Sequence, residues 1–393
     1  MARNVVERIR AYDAGRAADL VELKYRAMRS SSLAFLRGTA HLFYDDLPRA
    51  AILSDAPASW ISGDLHVENF GTYRGVDRRV YFDLNDFDEA ALAPCTWELL
   101  RLCVSLRVAV LPLGLGRKRC RGMAALLVDA YRDALSRGRA RCIDRNAAKG
   151  MVRTLIDQVR RRRRKSFIGG RTVGHGAGRR IRVDGRHALP APAKERRAVM
   201  AVMRRLAGEQ VERALEPIDV ARRIAGTGSL GLERYVVLVR GHGSGDGNLL
   251  VDLKYEPDPA IRPHLRLPQP RWASQAARVV EIQRRLQAVP PAYLQAVLMR
   301  TRSFVLKELQ PTADKLRLEG WKGRPQDLEK LVQTLGALAA WSELRSSGRE
   351  GSAVTEAFVE FGRRGWRDDL LRLADEMTER VEDDWRRFRR AAP

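Results

Sequence analysis

The spacing of apolar positions changes character several times along the chain. Between Asp19 and Phe43 the residues Leu20, Leu23, Met28, Leu33, Phe35 and Leu36 recur at irregular helix-like steps, so residues 1–50 predict helices. Over residues 58–89 the apolar runs shorten to Trp60-Ile61 and Val80-Tyr81-Phe82, separated by Gly, Asp and Asn, which predicts strand, loop and strand. Three- and four-residue steps return over 95–137, first through Trp97, Leu100, Cys103-Val104 and Val108, then through Met123, Leu126-Leu127, Ala130-Tyr131 and Ala134. Residues 160–187 lose periodicity. Arg160 to Lys165 leads into glycine-rich basic sequence, predicting a loop or partly disordered excursion with a hairpin over 180–186. A helix is expected over 194–215, followed by a β-rich segment over 220–256 with strands Tyr235–Val239 and Leu249–Tyr255. The glycine-rich stretch Gly241–Gly247 reads as a flexible hairpin loop between those strands. A helix over 272–288, a short strand Phe304–Leu306 and helices from about 325 complete the pattern.

These segments group into a helical part with polar loops (1–150), a basic insertion and helix (151–215), a β-rich lobe (216–312) and C-terminal helices that complete the helical part (313–393). The expected class is therefore α+β and bilobal. Composition adds that 45% apolar residues suffice for a sizeable core. A net charge of +24 favours acidic partners such as nucleotides, nucleic acid, phosphorylated substrates or an anionic surface, although an arginine-rich genome gives the same balance. The opening MARNVVERIRAYDAG has no apolar core, and Arg101 and Arg107 interrupt the most apolar stretch, Leu99–Leu115. Neither a secretory signal nor a membrane span is expected. The four cysteines form no CxxC pair and the six histidines are scattered, so zinc is not expected and reduced thiols in a cytoplasmic protein fit.

The chemistry concentrates in three places. In Gly63-Asp64-Leu65-His66-Val67-Glu68-Asn69 an asparagine follows an aspartate by five residues, the spacing of a kinase catalytic loop. There Asp64 would orient or deprotonate an attacking hydroxyl, Asn69 would ligate magnesium, and His66 would contact the loop or a phosphate. A polar turn has the same composition. The next strand, Val80–Leu84, runs into Asn85-Asp86-Phe87-Asp88, an Asp-Phe where kinases place the metal-binding aspartate. Asp86 would hold magnesium with help from Asp88. Asp83, Asp86, Asp88 and Glu89 fall within seven residues of an otherwise basic chain, which is unfavourable without a cation nearby. The third place is Gly226-Thr227-Gly228-Ser229-Leu230-Gly231. A dinucleotide fingerprint needs a helix after the glycines and a P-loop needs a GK[ST]. Here a β-branched strand follows, so a glycine loop closing over phosphates, or a plain hairpin turn, remains. On the next strand Lys254 would contact the nucleotide phosphates, with Glu281 as its partner from the following helix.

The glycine loop and Lys254 come after the catalytic loop, the reverse of a kinase, and circular permutation accounts for this. The chain resembles the bacterial family known as domain of unknown function 2252, which is grouped with kinase-like folds. The resemblance rests on MRSSSLAFLRG (28–38), GDLHVENFG (63–71), FDLNDFDE (82–89), Trp97–Arg101, Gly226–Gly231, Lys254, Val279–Gln287 and Leu344–Ala353. The Gly-Asp-Leu-His motif also looks like that of aminoglycoside and choline phosphotransferases. The resemblance implies ATP and Mg2+ as cofactors and a helix at 28–38 packed near the site, with Arg37 toward phosphate. It also implies a departure, because the family's C-terminal helix often ends in Ala-His where this chain has Trp341-Ser342-Glu343-Leu344. The expected activity is magnesium-dependent phosphoryl transfer from ATP to a small-molecule hydroxyl. Transfer of a nucleotidyl group on the same fold is one alternative. The other is a degenerate scaffold that binds nucleic acid or the ribosome through Arg161–Arg164, a patch with only Phe167 nearby for stacking.

Overall fold

The structure, a computed structural model, describes residues 4–209, 215–241 and 247–391. Residues 242–246 of the expected glycine-rich hairpin loop and 210–214 of the expected helix fall outside the described residues. The first fifty-odd residues form five helices, α1 (Val5–Tyr12), α2 (Ala18–Ser30), α3 (Ser32–Gly38), α4 (Ala40–Asp45) and α5 (Ala51–Ser54). Side chains set two of their starts: Asn4 accepts from the Val6 and Glu7 amides, and Ser31 accepts from the Ala34 amide.

Four short strands follow, β1 (Ala58–Ile61), β2 (Phe70–Arg74), β3 (Val80–Leu84) and β4 (Ala91–Pro94). They pair antiparallel as β1 with β4 and β2 with β3, so the two polar loops 62–69 and 85–90 leave neighbouring strand ends. Gly63 has φ +79°, and a Cβ there would lie 2.1 Å from the Glu89 carbonyl oxygen. Only glycine permits this approach of the first loop to the second. Beneath them runs α6 (Cys95–Val110), every residue of which is buried, Glu98 and Arg101 included. α7 (Arg117–Ser136) packs on α12 (Pro325–Ser346), where a Cβ at Gly336 would meet the Leu127 carbonyl at 2.2 Å. With α13 (Thr355–Arg363) and α14 (Arg367–Ala391) these helices form the larger core around Leu99, Leu102, Leu335, Leu338 and Phe358.

The expected excursion at 160–187 is more ordered than its composition suggests. α8 (Gly150–Arg161) buries Val152, Ile156 and Val159. After it come α9 (Arg164–Arg171) and a two-stranded ribbon of β5 (Thr172–Val173) and β6 (Arg180–Ile181). The hairpin therefore closes between 172 and 181 and not within 180–186. Its anchor is Asp219, which accepts from the Ile181 amide at 2.8 Å. The main sheet is antiparallel and six-stranded, in the order β11 (Gln295–Met299), β12 (Arg302–Glu308), β10 (Leu249–Tyr255), β9 (Arg234–Arg240), β8 (Glu216–Arg223), β7 (Ala188–Pro190). One face packs Val237, Val251, Leu253 and Phe304 against Val199 and Met203 of α10 (Ala193–Glu209). The other face carries Leu250, with Ile168 and Ile181 of the insertion packed against it. The fold is mixed α+β, and no helix among the described residues is long and apolar enough to cross a membrane.

Candidate functional site

Period two along β10 places Asp252, Lys254 and, just past its end, Glu256 on the face opposite Val251 and Leu253. That face carries buried charges. Asp252 binds Arg223 at 2.6 Å and Arg234 at 2.6 Å. Lys254 is in ion-pair contact with Asp88 and lies 3.8 Å from Glu256. Its counter-charges thus come from the loop below and from its own strand. Glu281 does not fill the expected role: it lies on the half-exposed side of α11 (Gln275–Leu286) and pairs with Arg284 at 3.1 Å. The α11 side chain that reaches the loop is Arg278, donating to the Ala90 carbonyl at 2.5 Å and the Asp88 carbonyl at 2.7 Å.

In the first loop Asp64 is held by Arg101, whose Nε donates to Oδ1 at 2.5 Å. Arg101 is fully buried, donates to the Leu36 carbonyl at 3.0 Å and stacks 4.8 Å from the Phe43 ring. Burial raises the Asp64 carboxyl above its usual range, with Arg101 opposing the rise. Asn69 donates Nδ2 to the Asp64 carbonyl at 2.6 Å, while its amide oxygen is buried and bonds to no described residue. The His66 ring accepts from the Glu68 amide at 3.2 Å. Burial first, then the charges of Arg37, Arg101 and Lys315, hold it well below the usual imidazole value, so it is neutral. Arg37 pairs with Glu68.

In the second loop Asp86 lies 3.7 Å from Lys315. Burial alone would raise its carboxyl, but Lys254, Lys315, Lys307 and Arg234 outweigh it and hold the group ionised well below the usual range. Burial pushes Lys315 down to about 8 against the pull of Asp86. Burial and the nearby Asp64 push Glu89 up to about 7. Asp83 faces elsewhere, toward Arg345 at 3.0 Å and the Ala288 amide at 3.2 Å.

The glycine segment joins β8 to β9, with Gly226 at φ +79° and Gly231 at φ +91°. Arg16 fixes it from outside, donating to the Gly228 carbonyl at 2.7 Å, and the Ala17 amide donates to the Gly231 carbonyl at 3.0 Å. The loop lies over the two polar loops, and Asp64, His66, Asp86, Asp88, Gly226, Gly228 and Ser229 wall one cavity. Asn69 and Lys254 adjoin that wall through Asp64 and Asp88. Gly231 packs against Arg16, and Glu281 stays outside.

Sequence reasoning passed over Arg101, Lys307, Lys315 and Arg16. Arg101 carried a signal, as a charge inside the most apolar helix of the chain. In the basic run, Arg162 pairs with Asp314, and Arg164 donates to the Gly247 and Asn248 carbonyls. The departure at 341–344 lies away from the cavity, with Glu343 buried against Tyr131. Among the described residues no group of three or more His, Cys, Asp or Glu side chains is placed to hold a metal ion. Any metal site here would combine an amide oxygen with a carboxylate.

Compared with known families, residues 16–391 match domain of unknown function 2252, described as an uncharacterized protein conserved in bacteria. No curated protein and no solved structure matches the chain.

Proposed function

The chain belongs to this bacterial family, and from that premise we propose that it is an ATP- and magnesium-dependent phosphotransferase acting on a hydroxyl of a small molecule. The observation that carries the reading is convergence. Two polar loops and a glycine loop, far apart in the sequence, wall one cavity with the residue types that phosphoryl transfer needs. The element order supports it: glycine loop between β8 and β9, lysine on β10, helix α11, then β11 and β12. Kinases arrange loop, lysine and helix in that sequence. Here the catalytic and metal loops precede them, so the fold reads as a bilobal kinase-like fold in circularly permuted order.

In this reading Arg101 engages Oδ1 of Asp64, and Oδ2 is the oxygen that meets the acceptor hydroxyl. Magnesium, when bound, neutralises phosphate charge. The groups that would hold it are the unpartnered Asn69 amide oxygen and the ionised Asp86. One carboxylate with one amide suits an ion that keeps several waters. Asp88 already pairs with Lys254 and joins the metal only if that pair opens. Neutral His66 serves the loop and carries no charge to the phosphates.

The test is ATP binding by calorimetry with and without magnesium, on the wild type and on Asp86→Ala. Binding that requires magnesium and disappears in the variant is the expected result. A folded wild type that binds no ATP would sink the reading and leave the nucleic-acid scaffold. That alternative starts weaker, because two of its four arginines already bond to other parts of the chain, Arg162 to Asp314 and Arg164 to the Asn248 carbonyl.

A further inference from the structure

A second cavity, of about 430 Å3, is walled in part by Asn85, the residue before Asp86, and by Lys307, and is distinct from the one under the glycine loop. Its chemistry is different. The glycine-loop cavity is walled by Asp64, Asp86, Asp88, Glu89 and Asp258 against Arg16 and Arg37. The second is walled by cations, and the acids there do not balance them. Arg162 is matched by Asp314, and Arg78 by Glu308 at 2.9 Å. Among the described residues three cations make no ion pair. Among the described residues Arg74 donates to carbonyls, of Arg78 at 3.4 Å and Val159 at 3.2 Å, and its charge acts on Asp314. Among the described residues Arg164 donates to the carbonyls of Asn248 at 2.9 Å and of Gly247. Lys307 makes no hydrogen bond or ion pair of its own with any described residue, though its charge acts on Asp86 and Asp252.

Two buried amides make the case independently. Asn85 is 5% exposed and Gln283 2% exposed, and both line this cavity. The Asn85 Nδ2 and the Gln283 Oε1 have no partner among the described residues. A buried polar atom without a partner is unfavourable, so a donor and an acceptor without a described partner at one cavity mark a place where a ligand completes the bonding. Leu250, Leu309 and Phe167 supply apolar wall for its organic part.

We infer that this cavity is a phosphate-binding site, taking the phosphoryl end of a small molecule with Lys307 and the Asn85 amide as donors and Gln283 accepting from a hydroxyl or amine of the ligand. The phosphoryl group has two possible sources. It is either the polyphosphate of the nucleotide itself, entering deep beyond Asp86, or a separate phosphorylated metabolite.

The experiment uses tripolyphosphate and inorganic phosphate as probes, with calorimetry on the wild type, on Lys307→Met, and on Arg161→Gln/Arg163→Gln, which removes exposed charge elsewhere. One charge-assisted bond is worth at least about tenfold in affinity. Lys307→Met should therefore lose about tenfold or more in tripolyphosphate affinity, and the surface double variant should lose little. Gln283→Leu, which removes no charge, should weaken ATP or a phosphorylated metabolite more than inorganic phosphate. ATP affinity falling in parallel with tripolyphosphate in Lys307→Met assigns the site to the nucleotide's own phosphates. It also predicts label transfer from the α-phosphate, as in nucleotidyl transfer. Loss of tripolyphosphate with ATP unchanged assigns the site to a separate ligand. Tripolyphosphate affinity unchanged in Lys307→Met but lost in the surface variant overturns the inference. The probes do not depend on ATP binding, so the inference and the phosphotransferase reading fail separately.

Discussion

At the scale of single residues, the site depends on a charge that local sequence does not advertise. Arg101 sits on a helix with no exposed residue and spends its charge on Asp64. Removing one partner of such a pair leaves the other buried and unpaired, at a cost of about 3–5 kcal/mol. Arg101→Met is expected to destabilise the protein on that scale, as measured by urea unfolding. The pair Arg101→Met with Asp64→Asn should recover much of the loss, because no carboxylate is then stranded. Equal losses in the single and double variants would mean that Arg101 works through packing on Phe43 alone. The same contrast explains what was legible. Asp64, His66, Asn69, Asp86 and Asp88 stand at fixed short spacings on two loops, and the loops lie together as the spacing suggests. Arg101, Lys307 and Lys315 come from three distant elements and meet those carboxylates only through tertiary packing. The Glu281 assignment failed for a related reason. Helix and strand were both read correctly, but which face of α11 meets β10 is a packing decision, and it favoured Arg278.

At the scale of elements, periodicity found most of the helices and the central strands, and missed α8, α9 and the strands whose order comes from contact. β7, β11 and the β5–β6 ribbon are short, and no period shows in two to five residues. The basic insertion looked disordered because its charges dominate its composition. It folds because Ile168 and Ile181 find an apolar sheet face and Asp219 meets the Ile181 amide. The glycine loop has a comparable dependence. Glycine permits its turns, but Arg16, on the link between α1 and α2, holds it through the Gly228 and Leu230 carbonyls. Arg16→Ala is therefore expected to loosen the loop and weaken ATP binding several-fold while leaving the fold intact. Hydrogen exchange of the Gly226–Leu232 amides reads the loop directly. Unchanged exchange in Arg16→Ala would show that the close approach of Gly231 to Val21, where a Cβ would lie 3.1 Å from the valine Cγ2, sets its position and not the arginine.

At the scale of the whole molecule, buried charge sets how stability responds to pH. Glu98 on the fully buried α6 accepts from the Ser62 amide at 2.8 Å, and burial pushes its carboxyl up to about 7. The folded state therefore holds a proton that the unfolded chain releases near 4.5. This contribution to stability is complete below about pH 4.5 and is lost as pH rises toward 7. Lys24, buried beside Asp13 at 2.7 Å, goes the other way, with burial and Arg16 pushing it down to about 8. Between about 8 and 10.5 the unfolded chain binds the proton that the folded state has lost, so stability rises with pH across that window. Together these two groups predict falling stability from pH 5 to 7, a shallow minimum near 7 to 8, and recovery above it. Each flank has a slope of at most about 1.4 kcal/mol per pH unit per group. Urea unfolding across that range checks the shape. Glu98→Gln keeps the acceptor oxygen and cannot ionise, so it should flatten the acidic flank and leave the basic one. An acidic flank unchanged in Glu98→Gln would move the effect to Glu89 of the second loop, which burial and Asp64 also push up to about 7. The first outcome places the responsible carboxyl on a helix that supports the loops, the second on a loop of the cavity itself. The cost of charge in this fold would then fall on the scaffold as well as on the cavity it carries.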